Sequence, residues 1–180
     1  MRGRRRGAGD IRHLRGEQHT QLERVVRGFG WSLDRKGVHV LDRATVDIYL
    51  DEWVYELLDL VEAVGATRVV IDNLSDLRLA VNDERHFREW AYSLASHFSR
   101  SRVSLLMTLE VPELFDPVRV SEQGISQLSD NVLLLQYLRD GDRLQRALTV
   151  LKTRATLHQP VITPFEITDG GITLAGAPPG

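Results

Sequence analysis

The residues best suited to chemistry sit at the ends of apolar runs. Val69, Val70 and Ile71 form a β-branched stretch that closes in Asp72, within RVVIDNLSDL. Val103 to Leu109 is a second apolar run, with Thr108 near its end and Glu110 just after it. Runs this apolar suit strands covered on both faces, as in parallel sheets. Open α/β sheets bind ligands beyond the carboxyl ends of such strands. An aspartate there is the arrangement in which a nucleotidase holds a magnesium-bound water near phosphates, the Walker B segment. The commoner use of a strand-end Asp is to cap the following turn or helix. A third group is basic. Lys152 and Arg154 alternate along VLKTR and so share one strand face. Alone, they read as a solvated basic edge that discourages strand pairing. His158, before Gln159-Pro160, reads as a loop residue, and Thr108 alone as a β-former. Trp31, Trp53 and Trp90 read as core or half-buried packing.

The elements that must position these residues follow from periodicity. Leu22, Val25, Val26 and Phe29 recur at helical spacing, and Gly28 and Gly30 end that run. VHVLD, 38–42, predicts a short strand. A helix is expected from Val46, with Asp47, Asp51 and Glu52 in its N-terminal half, where acids favour the helix dipole. Val54, Leu57, Leu58, Val61 and Val64 line one face of it, and Gly65 is placed to stop it. RVVID follows at once, giving helix, tight turn and strand: half of a parallel crossover unit. The unit repeats as a helix over 84–98, with Phe87, Trp90, Ala91, Leu94 and Phe98 inward, then the run at 103–109. Beyond Pro112 and Pro117, strands are expected over 131–138, 144–152, 163–167 and 171–174, with turns at Asp140-Gly141 and Asp169-Gly170. The reading is α/β first, then an antiparallel or mixed β extension. Residues 1–16, with six Arg and four Gly, are expected to lack regular structure or to be non-native sequence, with a nucleic-acid arm as the functional alternative. Residues 17–175 form the expected domain and 176–180 a tail.

Bulk properties narrow the classes. The 180 residues are enough for one domain with a core, at 42% hydrophobic and 27% charged. A formal net charge of −2 excludes a general polyanion binder. The absence of cysteine excludes disulfides and thiolate metal sites and fits a reducing, cytoplasmic compartment. No apolar run approaches the roughly 20 residues of a membrane span. The basic start is followed by no apolar stretch, so it is not read as a secretory signal.

Longer patterns carry a resemblance. EQHTQLERVVRGFGWSL, VGATRVVIDNLSDL, FREWAYSLASHFSRSRVSLLMTLEVPELF and GISQLSDNVLLLQYLRDGDRLQRALTVLKTRATLHQPVITPFEI resemble the KaiC-like family of RecA-type ATPases, which includes circadian clock proteins. The resemblance runs from Glu17 to Leu174, and Val-Leu-Lys-x-Arg with His158 and Phe-Glu-Ile is its most specific block. It implies a RecA-like three-layer α/β fold: a mainly parallel central sheet, a C-terminal antiparallel extension, and an N-terminally incomplete core. It implies ATP and magnesium as cofactors, with Asp72 as the Walker B acid holding Mg through water. Thr108 is implied near the γ-phosphate and attacking water. Lys152, Arg154 and His158 are implied to reach a neighbouring subunit's nucleotide in a hexameric ring. Glu17 matches the second of two adjacent glutamates that orient or deprotonate the lytic water; Gly16 stands where the first would be. Ser126 and Asp130 match a serine and an aspartate read as structural.

One expected part is absent from the sequence. The family's phosphate cradle is G-x-x-x-x-G-K-[ST], in which backbone amides wrap the phosphates and a lysine reaches them. This chain has two lysines, Lys36 and Lys152, and neither lies in such a loop. A truncated or frame-shifted gene product is the favoured explanation; a genuine short chain that keeps the assembly surface is the other. The first expectation is a KaiC-like ATPase domain coupling hydrolysis to ring assembly or signalling, and inactive alone. The second is a non-catalytic module docking on a complete ATPase, a full-length relative. A DNA-associated recombinase relative comes third, and the pI of about 6.3 argues against nucleic acid. Loss of a central strand would also leave unpaired amides beside Val69 and Val103, favouring oligomers.

Overall fold

The computed structural model describes residues 9–14, 16–42, 49–81, 83–110, 129–154 and 156–175, with side chains left out over 10–19 and at 42. The chain divides into two compact units, Met1–Glu110 and Val111–Gly180. In the first, β1 (Gly9–Leu14) leads to α1 (Gly16–Gly28), β2 (Val38–Asp42), α2 (Leu50–Val64) and β3 (Ala66–Ile71). Then come α3 (Leu74–Leu79), α4 (Glu84–Arg100) and β4 (Ser104–Met107). The four strands form one parallel sheet in the order β2-β1-β3-β4.

That order fixes the layers. The β1-α1-β2 crossover runs one way along the sheet, and the crossovers through α2 and α4 run the other way. Right-handed crossovers therefore put α1 on one face and α2 with α4 on the opposite face. Ring contact between Trp53 of α2 and Trp90 of α4, with centroids 5.9 Å apart, fits this placement.

Most expected elements are present, and the departures have local causes. Gly9–Leu14 is a strand where no regular structure was expected. Parallel partners on both sides, β2 and β3, satisfy its backbone groups, so a polar sequence serves as a central strand. The unpaired edge expected beside Val69 is thus filled by β1. Tyr49 is extended (φ −81°, ψ 112°), so α2 starts at Leu50 rather than Val46; residues 43–48 lie outside the described ones. Its buried stripe is Leu50, Trp53 and Leu57, and Val54, Leu58, Val61 and Val64 flank it. Gly65 ends α2 in the left-handed conformation (φ 63°), donating its N–H to Glu62 and Val61 carbonyls. Gly30 does the same for α1: its N–H meets Arg27 O and the Trp31 N–H meets Val26 O. This cap carries Trp31 past the helix and leaves it 61% exposed, unlike buried Trp53 and Trp90.

α4 matches its pattern residue for residue: Phe87, Trp90, Ala91, Leu94 and Phe98 are all buried. Asp83 caps it, accepting from the Arg85 and His86 backbone N–H groups at 2.9 and 3.3 Å. Those donors hold the Asp83 carboxyl below its ordinary value of 3.8. A depressed folded-state value means the cap's contribution is complete above 3.8 and fades as pH falls through the folded value. We therefore expect Asp83→Ala to lower the melting temperature at pH 7. The gap from the parent should narrow below pH 3.8, as melting followed across pH would show.

The second unit is an antiparallel sheet, β5 (Asn131–Asp140), β6 (Arg143–Thr153), β7 (Ile162–Thr168) and β8 (Gly171–Leu174), in that order. The turns fall as expected, with Gly141 at φ 59° between β5 and β6. Both hairpin strands run past the apolar residues, because Asp140 pairs with Arg143 next to the turn. Arg146 lies over the Tyr137 ring at 5.7 Å, in register across the hairpin.

Candidate functional site

The strand order places the switch point between β1 and β3, whose crossovers leave in opposite directions. That is where an open α/β sheet receives ligands, beyond the strand carboxyl ends. His13 of β1 lies opposite Ile71 of β3, and Ile71 lies opposite Met107 of β4. Asp72 and Thr108 therefore leave adjacent strands at the same sheet edge. Glu17 falls in the first turn of α1, just past β1, on that edge too.

Hydrogen bonds fix the β3 and β4 ends together. The Thr108 hydroxyl donates to Asp72 Oδ1. Thr108 N–H donates to Ile71 O at 3.1 Å, and Leu74 N–H donates to Thr108 O at 2.9 Å. The Glu110 N–H reaches the Ser75 hydroxyl at 3.1 Å. The Asp72–Asn73 peptide is cis. Asn73, not Asp72, caps the next helix: its Oδ1 accepts from the Asp76 N–H at 2.9 Å. That assigns the capping role to the neighbour and leaves the Asp72 carboxylate exposed at the edge. Asn73 and Ser75 were not singled out from sequence. The signal was there, since Asn followed three residues later by an acid is a helix-start pattern.

In the second unit the two cations bond to neighbouring residues, Ser129 and Asp130. Lys152 is half-buried and donates from Nζ to Ser129 O at 2.8 Å. Arg154 lies one residue beyond β6. Its Nη1 is 2.9 Å from Asp130 Oδ1, with both side chains more than 60% exposed. The Arg154 N–H also meets Asp130 O at 2.8 Å, and the Thr153 hydroxyl meets Asn131 Oδ1 at 2.5 Å. His158 is exposed in the β6–β7 connection. Asp130 thus anchors Arg154; Ser126 lies outside the described residues.

Among the described residues, no three His, Asp or Glu side chains gather as a metal cluster, and no helix is long and apolar enough to cross a membrane. The carboxylate at the sheet edge is a single oxygen donor group. This chemistry suits magnesium, which keeps several of its waters and takes few protein ligands. An open depression of about 360 Å³ between the starts of α2 and α4, bordered by Tyr49, Asp51, Val81 and His86, contains none of the expected site residues.

Comparison with known proteins bears on the family and the fold. The chain is 30% identical over 172 residues to the circadian clock oscillator protein KaiC of Synechococcus elongatus, covering 88% of this chain and 33% of that protein. It is 27% identical over 162 residues to the circadian clock protein KaiC3 of Synechocystis, covering 88% of this chain and 32% of that protein. The chain thus spans about a third of the length of these relatives. The crystal structure of a KaiC-like protein from Pyrococcus horikoshii superposes with a TM-score of 0.75 at 23% identity, over 93% of this chain and 76% of that one. That likeness establishes the fold as the RecA-like α/β arrangement expected. The family described as "ATPase: KaiC" matches residues 15–178, so this chain belongs to the KaiC ATPase family.

Proposed function

We propose that residues 17–175 form a KaiC-like ATPase domain whose two units serve nucleotides in different ways. The observation that carries this is the exposed Asp72 carboxylate, tied to Thr108 at the switch-point edge and relieved of capping by Asn73. Asp72 would hold magnesium through water. When bound, the ion would supply charge neutralisation for the phosphates. Thr108 fixes the carboxylate's orientation through its hydroxyl hydrogen bond and would stand near the γ-phosphate and its attacking water. Glu17, at the start of α1, would orient or deprotonate that water.

Arg154 and Lys152, with His158, would act on a neighbouring subunit's nucleotide, in a ring of copies or beside a full-length relative. The Arg154–Asp130 pair suits that role. Exposed ion pairs contribute only about 0–1 kcal/mol, so the guanidinium exchanges easily onto a phosphate. Lys152 is held by a backbone carbonyl, which makes it the positioned cation and Arg154 the mobile one.

These 180 residues contain no phosphate cradle, so ATP affinity of this chain alone should be weak. Isothermal titration with Mg-ATP is expected to give a Kd of about a millimolar or weaker. Micromolar affinity would overturn that expectation. Activity is then tested in trans, by mixing the chain with a full-length KaiC relative and measuring the ATP hydrolysis rate. The alternative of a non-catalytic docking module shares the trans surface. It is favoured if the rate changes and the change survives removal of Arg154.

A further inference from the structure

Thr108 orients the Asp72 carboxylate, and its own place is set from α3. β4 ends at Met107, so Thr108 is the first residue past the strand. The chain beyond the strand is held at three points. The Thr108 N–H meets Ile71 O at 3.1 Å, and the Thr108 C=O accepts from the Leu74 N–H at 2.9 Å. The Glu110 N–H meets the Ser75 hydroxyl at 3.1 Å. Leu74 and Ser75 are consecutive residues in the first turn of α3.

That turn is a fixed support. Leu74 and Leu77 are 1% and 0% exposed, so α3 is seated in the core, and the Asn73 cap on the Asp76 N–H holds its first turn. A serine in such a turn commonly bonds the backbone of its own helix. Ser75 instead accepts from a segment 35 residues away. One hydrogen bond to the Thr108 carbonyl is a pivot; a second bond two residues further along stops rotation about it. We infer that Ser75 is a positioning residue for the Asp72–Thr108 pair. By holding the Glu110 amide it fixes the backbone that carries the Thr108 side chain, and so keeps the Thr108 hydroxyl on Asp72.

Exposure makes such a support necessary. Asp72 and Thr108 both face solvent, where water competes for their hydrogen bond. A threonine has three staggered χ1 states, and its backbone angles decide which is favoured. Without Ser75 the Thr108 backbone would pivot, and its methyl group would take turns with its hydroxyl beside the carboxylate. The contacts close a ring: Asp72 to Thr108, Thr108 and Glu110 to Leu74 and Ser75, and back to Asp72 through Asn73. The functional weight of this ring rests on reading Asp72 and Thr108 as the magnesium- and phosphate-facing pair.

Nuclear magnetic resonance of the isotope-labelled 180-residue chain, without nucleotide or magnesium, tests the role of Ser75. Side-chain couplings of Thr108 should report a single χ1 state in the parent. In Ser75→Ala they should report averaging between states, and the Glu110 amide should exchange on the order of tenfold faster, the scale of one lost hydrogen bond. Ser75→Thr keeps the hydroxyl and should restore both readings; Ser75→Val has the same shape without it and should not. A merely structural role would alter the Glu110 amide and leave the Thr108 couplings alone. A single Thr108 state retained in Ser75→Ala therefore overturns the inference, as does averaging in the parent or in Ser75→Thr. If Ser75→Ala does not fold, the Thr and Val variants decide. Magnesium alone, added to the parent and followed at the Asp72 side chain, tests the reading of the site separately. A magnesium response with Thr108 indifferent to Ser75 sinks only the role of Ser75. No magnesium response sinks the reading on which that role rests.

Discussion

Arg154→Ala should abolish any acceleration that this chain gives to a full-length KaiC relative. The loss at each shared nucleotide is expected to be on the order of a thousandfold, the scale of an arginine that stabilises charge on a transferring phosphoryl group. The structure makes the test specific. Arg154 is exposed and held by one exposed carboxylate, so its removal leaves no buried charge and costs the β5-β6 sheet little. Asp130→Asn is the matched control. It releases the ion pair but keeps the cation, so acceleration should persist. Arg154→Lys keeps charge without the planar fork and should fall between the two. ATP turnover in the mixture, compared with the relative alone, reads all three. An acceleration unchanged by Arg154→Ala would remove the trans role and leave that cation a purely structural partner of Asp130.

Phe87→Ala should be the most damaging single change to the first unit. Phe87 is fully buried, and its ring stacks on Trp90 at 5.7 Å and 25°. Trp90 in turn meets Trp53 of α2. Emptying that position removes the ring that packs against Trp90, the residue through which α4 meets α2. Such truncations cost about 3–5 kcal/mol, against a typical domain stability of about 5–15 kcal/mol. The denaturant midpoint read by tryptophan fluorescence should fall steeply, since two of the three tryptophans report from this cluster. Val25→Ala, at a half-exposed helix position, should leave the midpoint nearly unchanged. Comparable shifts from both changes would show that the aromatic cluster does not carry the unit's stability.

Local sequence was sufficient wherever one element satisfies itself. α4 was legible because its five inward residues repeat at helical spacing. The strands of the second unit were legible because turn residues punctuate them and each pairs with its neighbour in the chain. Asp72 was recognisable as a strand-end carboxylate, and the family resemblance came from patterns spread along the whole matched region. What local pattern did not reveal depended on distant partners. Gly9–Leu14 looks like an unstructured basic segment until β2 and β3 bond to both its edges. Trp31 looks like core until a left-handed glycine turns the chain outward. Asp72 was ambiguous between cap and ligand site until Asn73 proved to be the cap.

The sequence by itself therefore determined the fold class, the family and most elements, because periodicity, caps and turn residues act over a few positions. Only the tertiary structure decided two things: that Asp72 and Thr108 meet at one sheet edge, and that Asp130 holds Arg154. Each of these joins residues distant in sequence. Strand order and hydrogen-bond phase set such relations, and no short stretch of residues encodes them.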